Sequence, residues 1–154
     1  MKLRHVLLAL VVGLGLLSRW AGAAPKIEHW LAGSGARVFF VENHDLPMLD
    51  VQIDFAAGSV RDPEGKSGVA ALTSGMLDLG AADLDEREIA SRLADVGAVL
   101  SGGADIERAS LHLRTLSADD RRLPALALMR SVLAAPQFPA DVLAREKART
   151  IAGL

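Results

Sequence analysis

Hydrolytic chemistry needs a nucleophile, a base or a metal ion held by side chains at fixed spacing, and few residues of this chain can supply them. It has four histidines, His5, His29, His44 and His112, and no cysteine. Imidazole and thiolate are the usual ligands of zinc, so the histidines carry whatever metal chemistry is available. No two of them stand one helical turn apart, and none lies between His44 and His112. His5 belongs to an apolar leader. His29 and His44 sit in or beside a short strand and a turn, and His112 lies between Ser110 and Arg114 on the polar side of an alternating run. Each reads as a solvated imidazole. A centre built from His44, His112 and a carboxylate is the one remaining combination.

Other catalytic patterns are incomplete. Gly33-Ser34-Gly35 lacks the G-x-S-x-G spacing of a nucleophile elbow. Gly65-Lys66-Ser67 ends like a phosphate loop, but the upstream glycine it requires is Val60, so a loop and helix cap is the simpler reading. The charged run Asp83, Asp85, Glu86, Arg87, Glu88 reads as a solvated helix start.

Composition narrows the partners. Seventeen basic and 19 acidic residues are scattered along the 154, for a net charge of −2, and no basic block interleaves with aromatics. Nucleic acid is therefore not an expected partner. Tyrosine is absent and aromatics are scarce, which argues against stacking platforms for sugars or bases. Without cysteine there are no disulfides, and the core alone must hold the domain together.

The first 23 residues look like an address. Lys2, Arg4 and His5 open it, an apolar run follows from Val6 to Leu17, and Ala21-Gly22-Ala23 supplies small residues for cleavage. The run is well short of the roughly 20 residues that span a bilayer. A cleaved signal peptide over 1–23 is preferred to an uncleaved anchor, because no longer apolar run or stop-transfer pattern follows. The expected location is periplasmic or otherwise exported, with no stable membrane span after cleavage. About 130 residues remain, from 24 to 154, enough for one domain with a respectable core.

The elements that must position any site follow from periodicity. Short strands are expected at Ile27 to Leu31 and Val38 to Val41, then a strand in which Val51, Ile53 and Phe55 alternate with Asp50, Gln52 and Asp54. Gly58 to Gly65 reads as a polar loop. Val69, Leu72, Met76 and Leu79 recur at helical spacing, predicting a helix from Ser67 to about Leu79. Asp85 with Glu88 predicts a capping box for a second helix carrying Ile89, Leu93 and Val96, ended by Gly97. An extended stretch from Val99 and the strand of Ala109, Leu111 and Leu113 follow. Two helices then end the chain, the first reaching Ala134 and the second opened by Pro139. The expected class is α+β, a mostly antiparallel sheet with helices packed on one face.

In this order of elements, several strings resemble the insulinase/pitrilysin family of zinc peptidases, which includes the mitochondrial processing peptidases. Val51 to Val60 resembles the family's strand ending in a G-S-hydrophobic turn. Asp62 to Ala70, with Gly65-Lys66-Ser67-Gly68-Val69-Ala70, resembles its G-K-[ST]-G-hydrophobic-A helix opening. Ile89 to Ala98 is similar to its helix-to-strand passage, and Phe138 to Lys147 to the start of its long following helix. Active members carry H-x-x-E-H on the helix after that opening, with two zinc-binding histidines one turn apart and a glutamate that takes a proton from the metal-bound water. The resemblance places these three at Ala71, Ser74 and Gly75, and the third ligand, a glutamate late in the final helix, near Ala152 or Gly153. None of the four is present. Gly75 inside a helix costs about 1 kcal/mol against alanine, and either close approach of a neighbouring element or drift accounts for it.

The resemblance thus implies a metallopeptidase-like N-terminal domain without zinc ligands, general base or catalytic residues. Its implied role is the non-catalytic partner of a homologous catalytic subunit in peptide processing or degradation, with a sheet edge available to extended peptides. A zinc endopeptidase and a non-functional gene fragment are the competing readings. Family members are several times longer, so a domain cut short at its C-terminal end is expected.

Overall fold

The computed structural model describes residues 25–153, so the expected signal peptide lies outside the described residues. The chain divides into two compact units, one ending at Leu46 and one starting at Pro47. The first contains a hairpin of β1 (Ile27–Leu31) and β2 (Arg37–Val41), in antiparallel register with Ile27 opposite Val41 and Leu31 opposite Arg37. Gly35 sits at φ +84 in its turn, a conformation that glycine adopts without steric cost.

The second unit is built on a three-stranded antiparallel sheet of order β3 (Met48–Phe55), β7 (Ala109–Leu116), β6 (Val99–Ala104). β7 is central, pairing Val51 with Leu113 on one side and Leu100 with the same residue on the other. Successive strand side chains point to opposite faces, so Leu111, Leu113 and Thr115 are buried while His112 and Arg114 face away. The helices α1 (Val69–Gly75) and α3 (Asp119–Ala134) pack on the buried side. α3 buries the stripe Ala125, Leu128, Met129 and Val132. With Ile89 and Leu93 of α2 (Glu86–Asp95) these residues and the inward leucines of β6 and β7 form one core. Full burial of such side chains stabilises by about 1.5–3 kcal/mol each. The final helix, α4 (Ala140–Ala152), has Pro139 at its N-cap position and buries Val142.

The capping box holds. Asp85 Oδ1 accepts from the Glu88 amide at 2.8 Å, and Glu88 Oε2 accepts from the Asp85 amide at 2.9 Å. Gly97, at φ +64, ends α2 as expected. A two-residue hairpin, β4 (Gly80–Ala81) with β5 (Leu84–Asp85), joins α1 to α2, and its Ala81 bridges to Pro136. The loop after β3 contains a 3-10 turn at Ser59–Arg61, and the amides of Gly58, Ser59 and Val60 donate to carbonyls of the turn between β6 and β7. Among the described residues, no helix is long and apolar enough to cross a membrane.

Candidate functional site

The site indicated by the sequence lies on α1, and the helix is shorter than its periodicity predicted. It covers Val69–Gly75 rather than Ser67 to Leu79. Gly68 stands before it at φ +97, and turns follow from Met76 before the chain enters β4. Met76 is still buried at 2% exposure, so the apolar period runs past the end of the helix that it suggested.

α1 is capped from a distance. Asp62 accepts at both carboxylate oxygens, Oδ2 from the Gly68 amide and Oδ1 from the Ala70 amide, each at 2.8 Å. The amides of the Gly65-Lys66-Ser67-Gly68 loop that could have met a phosphate are engaged, in part, by this carboxylate. The reading of that loop as a cap therefore stands, with Asp62 as the capping group. Asp62→Ala removes both acceptors, and a loss of about 1–2 kcal/mol is expected in urea unfolding. Asp62→Asn, which keeps one acceptor, should recover part of it.

Ala71 and Gly75 are exposed on α1, whereas Ser74 is buried at 3% exposure. A Cβ at Gly75 would meet no atom within 4 Å. Close approach of a neighbour therefore does not explain this glycine. The tight contact is one residue earlier and on the other side, where a Cβ at Gly102 of β6 would overlap the carbonyl oxygen of Ser74. The helix backbone lies directly on the strand at that point, and only glycine admits it.

These residues do not fit zinc. A methyl group, a hydrogen and one buried hydroxyl provide no imidazole or carboxylate donor at 71, 74 and 75. At the end of α4, Ala152 and Gly153 likewise carry no donor atom on their side chains. No group of three or more His, Asp or Glu side chains among the described residues could hold a metal ion.

The remaining histidines have ordinary surroundings. His29 stacks on Phe39 with ring centroids 6.4 Å apart, and His44 Nε2 lies 2.8 Å from Glu42. His112 Nε2 lies 3.4 Å from Asp50 Oδ1, but that carboxylate is held by Arg114, whose Nε donates to Oδ1 at 2.7 Å. The Arg114 hydrogen bond keeps the Asp50 carboxyl below the usual range. Asp54 is lowered too, by the Ser110 hydroxyl donating at 2.6 Å and then by Gln52. The open face of the sheet is thus a mesh of exposed ionic and polar pairs. In the turn after α1, burial pushes the Asp78 carboxyl up, and the negative charge of Glu86 adds to that effect.

Comparisons with known proteins bear on the family and the fold. The model of the insulinase family (peptidase family M16) matches residues 37–152. The solved inactive domain of an M16 peptidase from Pseudomonas fluorescens is 44% identical, with a TM-score of 0.79 over 83% of this chain and 31% of that one. A protease from Helicobacter pylori shares the fold at 19% identity, with a TM-score of 0.64 over 77% of this chain and 28% of that one. The periplasmic protease PqqL from Escherichia coli does so at 14% identity, with a TM-score of 0.72 over 84% and 14%. This chain therefore spans about a third or less of the length of each. No curated protein matches it.

Proposed function

Because the chain belongs to the insulinase family (peptidase family M16), we propose that it acts as an exported, catalytically inactive homologue that partners an active zinc peptidase subunit. One observation carries this reading. The scaffold of the catalytic helix is kept, capped by Asp62 and seated on Gly102, while Ala71, Ser74 and Gly75 provide neither ligands nor a base. The 44% identity to a domain described as inactive supports it. Export rests on the basic, apolar and small-residue order of residues 1–23.

In this reading the chain contributes shape and grip. The sheet that starts at β3 ends at β6, and a strand edge can hold an extended peptide through main-chain pairing alone. The partner supplies zinc and the glutamate base.

The test is co-expression with a homologue carrying an intact H-x-x-E-H motif, purification through a tag on this chain, and a peptide-cleavage assay. Activity is expected in the complex, and it should vanish when the motif glutamate of the partner is changed to glutamine. Cleavage by this chain alone, after removal of contaminating proteases, would overturn the proposal.

A further inference from the structure

We draw no further inference here: the strongest candidate, the apolar cleft between the outer edge of β3 and α3 lined by Val51, Ile53, Leu126, Met129 and Leu133, is an unpartnered face, and nothing among the described residues shows what covers it.

Discussion

Gly102→Ala is expected to cost about 3 kcal/mol, the upper end of what overpacking a core usually costs. The added methyl would overlap the Ser74 carbonyl oxygen, and that atom is helix backbone, so no rotamer change can clear the space. α1 would have to lift off β6, exposing the apolar layer between them. A loss of this size lowers the folded-to-unfolded ratio by roughly two orders of magnitude and consumes much of the stability of a typical domain. Gly103 is the control. It is the next residue of β6, directed to the opposite face, and a Cβ there meets nothing within 4 Å. Gly103→Ala should stay within about 0.5 kcal/mol of the unaltered chain. Urea unfolding of the two variants separates a steric effect at one face from a general intolerance of alanine in this strand. Equal losses would refute the contact.

The contact also bears on the proposed inactive role, because it holds α1 in place without help from the side chains at 71, 74 and 75. The backbone at position 74 is set by Gly102 and the start of the helix by Asp62, and neither depends on the side chains at 71, 74 and 75. Substitution at those three positions removes donors while leaving what holds the helix in place.

Strict local patterns made much of this legible in advance. The alternation Leu111, His112, Leu113, Arg114 allows only one burial pattern in a sheet covered on one face, and β7 shows it. Asp85 and Glu88 are three residues apart, so their capping box is a local matter and formed as expected. Periodicity overstates the length of α1 because Met76 and Leu79 keep the helical spacing while the chain has already turned, and burial in a turn leaves the same apolar signal. The pairing of Asp62 with residues six and eight positions later depends on the loop path, which composition does not reveal. The contact of Gly102 with Ser74 spans two elements and has no signature in either. The strands β4 and β5, two residues each, are too short to show any period.

The proposed absence of a zinc site carries a prediction about metal. Ala71 and Gly75 are exposed one turn apart on α1, and position 75 has open space for a side chain. Ala71→His with Gly75→His should therefore give a two-imidazole chelate on a helix that is already in place. Gly75 is the last residue of α1 and a side chain there enters open space, so the gain should not come at the expense of folding. Equilibrium dialysis against zinc, followed by metal analysis, compares the unaltered chain with this double variant. The unaltered chain should hold no stoichiometric zinc, and the variant should bind it at least about tenfold more tightly. A stoichiometric zinc that the unaltered chain retains through dialysis would contradict it.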